Sequence, residues 1–212
     1  MPHSSPGWVI DAQGVCPLAE QMPSPNQDAR PPHTLVDLIV IHNISLPPGQ
    51  FGGEYVADLF LNRLDYQAHP YFAALRTLRV SAHFFLSRQG RLFQFVATEN
   101  RAWHAGVSDF MGRAACNDFS VGIELEGTDD TAFTPAQYDG LALLTVALCR
   151  RYRIAGITGH QQIAPARKTD PGARFDWVRY ERQYRQQMDM PKPDTPKPFP
   201  VFYSGTLPRA GA

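Results

Sequence analysis

One short stretch constrains this chain more than any other. Asp37-Leu-Ile-Val-Ile-His42 sets four consecutive apolar residues between a carboxylate and an imidazole. A strand that is apolar on both sides has to be covered on both, which places it at the centre of a sheet. Side chains alternate along a strand, so Leu38, Val40 and His42 share one side. His42 therefore emerges at the strand's end, where the apolar pattern gives way to Asn43-Ile-Ser-Leu-Pro-Pro48. An imidazole in that position must be desolvated or given a partner.

The rest of the chain supplies what such a strand needs around it. In Ser120-Val-Gly-Ile-Glu-Leu-Glu-Gly127 the alternation puts Val121, Ile123 and Leu125 on one face and Gly122, Glu124 and Glu126 on the other, a strand with one acidic face. Ile157-Thr-Gly-His160 reads as a short strand that also ends in histidine, followed by a proline- and glycine-bearing loop through Gly172. Between Val80 and Val96, two β-rich runs flank Arg88-Gln-Gly-Arg91, where Gly90 can take the positive φ of a hairpin turn.

Helical spacing recurs at Val56, Leu59, Phe60 and Leu64, which predicts a helix over Glu54 to Leu64. Thr134-Pro-Ala-Gln137 offers an N-cap, a first-turn proline and a capping-box glutamine ahead of Leu141, Leu144 and Leu148. Asp176 can cap a last helix that packs Trp177, Tyr180 and Tyr184. These elements predict an α/β fold, a mixed central sheet flanked by helices, within one domain over residues 1–188. Five prolines between Pro191 and Pro200 favour extended chain, so residues 189–212 read as a proline-rich C-terminal tail outside that domain.

A chain of 212 residues suits one sizeable core. Its 20 basic residues cancel 20 acidic ones, which argues against nucleic acid and anionic membranes as partners, and no protein partner is indicated. Charges or prolines interrupt every apolar run short of the roughly 18 residues that span a bilayer. The opening residues lack the basic and apolar regions of a secretory signal, so a soluble, cytoplasmic protein is expected. Cys16, Cys116 and Cys149 are odd in number and far apart, which suits reduced packing thiols.

Most of the seven histidines need no function. His3 and His33 lie in proline-rich, exposed-looking segments, and His69 before Pro70 can simply order a loop. His83 fits a half-buried, hydrogen-bonded histidine at least as well as a ligand. His42 and His160 differ, each ending an apolar run, and Asp170 in Lys168-Thr-Asp-Pro-Gly172 adds a carboxylate from a nearby loop. Two imidazoles and a carboxylate match zinc's preference and leave an open fourth position, the mark of a catalytic site. Spacing alone is weak evidence for this and favours two unrelated core histidines.

Several separated motifs settle on one family, in order along the chain. They include Val40-Ile-His42-Asn-Ile-Ser-Leu-Pro-Pro-Gly49, His69-Pro-Tyr-Phe72, Leu78-Arg-Val-Ser-Ala-His83 and Arg101-Ala-Trp-His-Ala-Gly106. Cys116-Asn-Asp-Phe-Ser120, Gly122-Ile-Glu-Leu-Glu-Gly127, Thr158-Gly-His160 and Arg167-Lys-Thr-Asp-Pro-Gly172 complete the set. On these motifs the chain resembles the cytosolic anhydro-muramyl-peptide amidases of the AmpD type. More distantly it is similar to phage amidase lysozymes and animal peptidoglycan-recognition proteins.

The resemblance implies the amidase-lysozyme fold and Zn2+ as cofactor, held by His42, His160 and Asp170. It implies Glu124 as general base and Lys168 as the cation that stabilises the transition state. Asn43, Arg79, Trp103, His104 and Arg167 fall in motifs that contact substrate, an anhydro-muropeptide. By parity Glu126 competes with Glu124 for the base role, and its simpler reading is a solvated or ion-paired carboxylate. One departure stands out: close relatives usually carry an arginine where this chain has Ala115, which makes Arg113 the candidate substitute. The implied activity is hydrolysis of the amide between the lactyl group of 1,6-anhydro-N-acetylmuramic acid and L-alanine, in peptidoglycan recycling. The alternatives are an amidase of intact peptidoglycan, or a module that binds muropeptides without cutting them.

Overall fold

The computed structural model describes residues 7–188 and 200–207. Along the chain run β1 (Glu20–Gln21), β2 (Gln27–Ala29), β3 (Leu38–Ile44), α1 (Tyr55–Phe60), β4 (Phe84–Leu86), β5 (Leu92–Gln94), β6 (Asn100–Ala102), β7 (Asp109–Phe110) and β8 (Arg113–Ala114). Then follow β9 (Ser120–Glu126), α2 (Pro135–Arg151), β10 (Gly156–Gly159), α3 (His160–Ile163), α4 (Trp177–Met188) and β11 (Val201–Tyr203). Seven strands form one mixed sheet in the order β1-β5-β4-β9-β3-β10-β11, in which only β4 and β5 run antiparallel. The apolar run Leu38–Ile41 lies inside this sheet with β9 on one side and β10 on the other, and all four residues are fully buried.

The two faces of the sheet carry different cargo. Ile39, Ile41, Val121, Ile123 and Leu125 point toward α2 and α4, meeting Leu141, Leu144, Leu148, Tyr180 and Tyr184 in the largest apolar cluster. Leu38 and Val40 face the other way, toward Ala105, Cys116, Phe119 and Ile163. That second face holds the functional residues, because His42 continues the Leu38–Val40 row. Helix α2 begins with the expected capping box, Thr134 Oγ1 accepting from Gln137 N at 3.2 Å and Gln137 Oε1 from Thr134 N at 3.0 Å. Gly90 turns the β4–β5 hairpin at φ 80°.

Two expectations are corrected by the structure. The helix over Glu54 to Leu64 stops at Phe60, because Asn62 adopts a left-handed φ of 58° and turns the chain, although Leu64 still packs into the core. The C-terminal segment does not lie wholly outside the domain. Val201–Tyr203 pairs in parallel with Gly156–Thr158 as the seventh strand. Phe202 packs edge-on against Tyr180 at 5.2 Å, and Tyr203 against Phe110 at 5.3 Å. Aromatic burial and edge pairing thus outweigh the extended-tail tendency of the prolines. Pro191, Pro193, Pro196 and Pro198 lie outside the described residues, as does His3. All three cysteines are buried and outside any disulfide, and among the described residues no helix is long and apolar enough to cross a membrane.

Candidate metal centre

Three neighbouring parallel strands end at one place. In register, His42 on β3 sits beside Glu124 on β9, and Gly159, the last residue of β10, sits beside Ile41. His160, the next residue and the first of α3, therefore arrives beside His42. Sites at the carboxyl ends of parallel strands arise this way, from side chains mounted on rigid elements. The loop after α3 brings in Asp170, whose carbonyl accepts from Gln161 N at 2.9 Å and so ties the loop to the helix.

The three donor atoms converge. His42 Nδ1 lies 3.0 Å from His160 Nδ1 and 3.0 Å from Asp170 Oδ2, and His160 Nδ1 lies 3.1 Å from the same oxygen. Both histidines are buried. Burial, and then the neighbouring His160, push the His42 imidazole down to about 4 against the pull of Asp170, so the ring is neutral and able to donate a lone pair. Burial raises the Asp170 carboxyl, but its close contacts with the His160 and His42 rings outweigh that and hold the group well below the usual carboxylate range. Two imidazole nitrogens and one carboxylate oxygen, packed this tightly, suit a cation by the chemistry of the donor set.

Outside the donor atoms, each ring is held by its other nitrogen. His42 Nε2 lies 2.9 Å from His104 Nδ1, and His160 Nε2 donates to the Ala105 carbonyl at 3.0 Å. Asn117 Oδ1 accepts from both His104 N and Ala105 N, which fixes the segment that supplies these partners.

Above the metal position opens a cavity of about 770 Å³. Glu124, Lys168, Asn43, Arg79, Trp103, His104 and Arg167 all border it, as do His160 and Asp170. Among the described residues, the buried Oε2 of Glu124 has no hydrogen-bond partner. Burial first, and then the negative charge of Asp170, raise its pKa well above the usual carboxylate value, opposed by Lys168. Asn43 Nδ2 donates to Asp129 Oδ1 at 2.7 Å, and Arg79 Nη1 donates to the Arg76 and Leu78 carbonyls on the exposed rim. Arg167 Nη2 reaches the Ala105 and Val107 carbonyls at 2.6 and 2.7 Å. His104, though on the cavity wall, has both ring nitrogens engaged within the protein.

Two other carboxylate and guanidinium groups stand elsewhere. Glu126 is buried rather than solvated, its oxygens accepting from Gly52 N and from Arg88 N, and it borders a separate cavity. Arg113 pairs with Asp37 at 2.8 Å and stacks over Phe119, at the entrance of β3 rather than its exit. It does not border the main cavity.

Several supporting residues went unread in the sequence. Ser120, Asn117 and Arg30 all hold the segment behind His42. Alternation along β9 places Ser120 on Glu124's face, two residues before Gly122, whereas Arg30 carries no signal beyond being an arginine among prolines.

Comparison with known proteins gives one consistent result. Residues 31–173 match the family model described as N-acetylmuramoyl-L-alanine amidase. The chain is 54% identical over 176 residues to the 1,6-anhydro-N-acetylmuramyl-L-alanine amidase AmpD of Citrobacter freundii, covering 82% of this chain and 90% of that protein. Identity to the protein of the same name from Escherichia coli K12 is 52%, covering 82% and 92%. A crystal structure of a selenomethionine AmpD derivative superposes with a TM-score of 0.81 at 53% identity, covering 82% of this chain and 98% of the other.

Proposed function

The chain belongs to the N-acetylmuramoyl-L-alanine amidase family, and from that premise we propose that it hydrolyses the amide joining the lactyl group of 1,6-anhydro-N-acetylmuramic acid to L-alanine of the stem peptide. Zinc is the ion assigned to His42, His160 and Asp170, whose two imidazole nitrogens and one carboxylate oxygen suit it. Bound there, zinc supplies Lewis acidity that polarises a carbonyl and makes water a stronger acid.

The protein's own groups do the rest. Glu124 Oε2 takes a proton from the attacking water and passes it to the leaving nitrogen, so that the C–N bond breaks to a carboxylate product and a free amine. Its raised pKa and unspent oxygen suit a group that carries a proton both ways. Lys168 faces the charge that develops on the carbonyl oxygen and stabilises it electrostatically. Arg79 and Arg167 offer guanidinium groups to the carboxylates of the peptide, while Trp103 offers an aromatic wall to the sugar and Asn43 an amide.

The observation that carries this reading is the buried, unpartnered Glu124 Oε2 on the strand beside His42. A cytoplasmic setting is part of the proposal, supported by three buried cysteines outside any disulfide, as a reducing compartment preserves them. The test pairs zinc content with turnover of anhydro-muramyl-tripeptide and, in parallel, of purified sacculi. Zinc-dependent cleavage with strong preference for the soluble compound is expected. Undiminished turnover in metal-free protein overturns the zinc assignment. Equal or better digestion of sacculi overturns the recycling substrate, and tight binding without product overturns catalysis.

A further inference from the structure

We propose that His104 and Ser120 are positioning residues for His42. With the Cys116 carbonyl they form a hydrogen-bond chain of a single direction, which turns the lone pair of His42 Nδ1, and not an N–H, toward the metal position. This rests on the reading of His42 as a zinc ligand.

The direction follows from the fixed end of the chain. A carbonyl oxygen can only accept, so Ser120 Oγ, 2.6 Å from Cys116 O, spends its single proton there. The contact of 3.2 Å between Ser120 Oγ and His104 Nε2 then has one sense, with the imidazole donating. The His104 ring is buried with the Arg30 guanidinium nearby, and both disfavour a second proton on it; a neutral imidazole carries one proton, so Nδ1 is an acceptor. His42 Nε2, 2.9 Å away, must donate to it. The proton of His42 is thereby held on the far side of the ring, and Nδ1 is left with its lone pair.

Without that chain the opposite tautomer is favoured. Asp170 Oδ2 stands 3.0 Å from His42 Nδ1 and would accept a hydrogen bond from an Nδ1–H, which would close the site to a cation. The acceptor presented by His104 opposes this. His160 is set in the same way by the adjacent residue, since the Ala105 carbonyl can only take a proton from Nε2. Two consecutive residues thus fix both ligand rings.

Strand β9 is shaped for this arrangement. Ser120, Gly122 and Glu124 occupy successive positions on one face. Glycine in the middle is a requirement of space, as a Cβ there would lie 2.4 Å from His104 Cγ. The Arg30 guanidinium adds rigidity from below, donating to the carbonyls of Asn117, Asp118 and Ser120. One strand face therefore accepts the end of the hydrogen-bond chain, houses its imidazole and presents Glu124 to the cavity.

The experiment reads the tautomer of His42 directly, by 15N chemical shifts of metal-free protein, together with zinc affinity by chelator competition. In the parent protein Nδ1 should show the shift of an unprotonated nitrogen. His104→Ala should move the proton to Nδ1 and weaken zinc binding about 10- to 100-fold, the usual loss for a ligand's outer partner. His104→Asn, which keeps an acceptor oxygen at the position of Nδ1, should restore most of both. Ser120→Ala, which removes one hydroxyl, should produce a smaller shift in the same direction and carries the decision if His104→Ala fails to fold. Retention of the Nε2 proton and of parental zinc affinity in Ser120→Ala and in any folded His104→Ala overturns the proposal. Failure of the parent protein to bind zinc overturns the metal reading instead, and the tautomer measurement still decides the positioning role.

Discussion

Glu124 is the register partner of His42 on the adjacent parallel strand, so the two side chains stand together on one face of the sheet at its carboxyl end. Strands about 4.8 Å apart thus set a carboxylate beside the metal position with no loop in between. The spacing is held by the sheet ladder, and a group mounted this way needs little reorganisation to act.

Replacing Glu124 separates proton transfer from metal binding. Glu124→Gln should retain full zinc content while turnover of anhydro-muramyl-tripeptide falls about 10²- to 10⁴-fold, the range for loss of a general acid–base. Glu126→Gln should spare the chemical step, because Glu126 faces another cavity and holds Gly52 N and Arg88 N. Parallel assays of metal content and kcat distinguish the two carboxylates. A Glu126 variant with the larger kcat loss would reverse their roles.

Metal removal should cost stability as well as activity. On the proposed assignment zinc binds only the folded arrangement of His42, His160 and Asp170, so saturation at a hundred times Kd should add about 2.7 kcal/mol. Thermal melts of chelated protein should rise on titration with zinc. In His160→Ala the melt should no longer respond, and turnover should be lost.

His83 makes the fold acid-sensitive. Its Nδ1 accepts from Gly122 N at 3.0 Å, and burial, followed by the nearby Arg30 charge, depresses its pKa well below 6.5. The unfolded chain takes up a proton near 6.5 that the folded protein refuses. The unfolded state therefore binds more protons, and stability falls as pH drops below about 6.5, by up to ~1.4 kcal/mol per pH unit for this one group. Above that value the contribution is fully present. Denaturant unfolding of metal-free protein at pH 5.5 and 7.0 checks this, and His83→Gln should flatten the pH slope even where it lowers overall stability.

The C-terminal strand should prove part of the folded unit. Phe202 is half-buried against Tyr180 and Tyr184, so Phe202→Ala should cost roughly 2 kcal/mol, below the range for a fully buried phenylalanine. Gln162 Nε2 also donates to the Ser204 carbonyl at 3.1 Å, which ties this segment to the helix bearing His160. Ending the chain at residue 188 should lower the melting temperature by more than Phe202→Ala does. Equal melting of the shortened and complete chains would detach the strand from the cooperative fold.

Most of the elements, and the faces of the two central strands, were legible in local patterns. Apolar runs and alternation identified β3 and β9, and the Thr134 capping box located α2, because these signals are local and are written in residues two to four apart. The order of motifs carried the resemblance to amidases. Tertiary structure alone decided what those faces meet. The convergence of His42, His160 and Asp170 depends on parallel register between strands far apart in sequence, which no local pattern encodes. The same holds for β11, where pairing and aromatic packing prevail over a proline-rich composition. It holds also for the separation of Glu124 from Glu126: alternation put them on one face, but only the packing of Gly52 and Arg88 onto Glu126 spent one carboxylate and left the other open to the cavity.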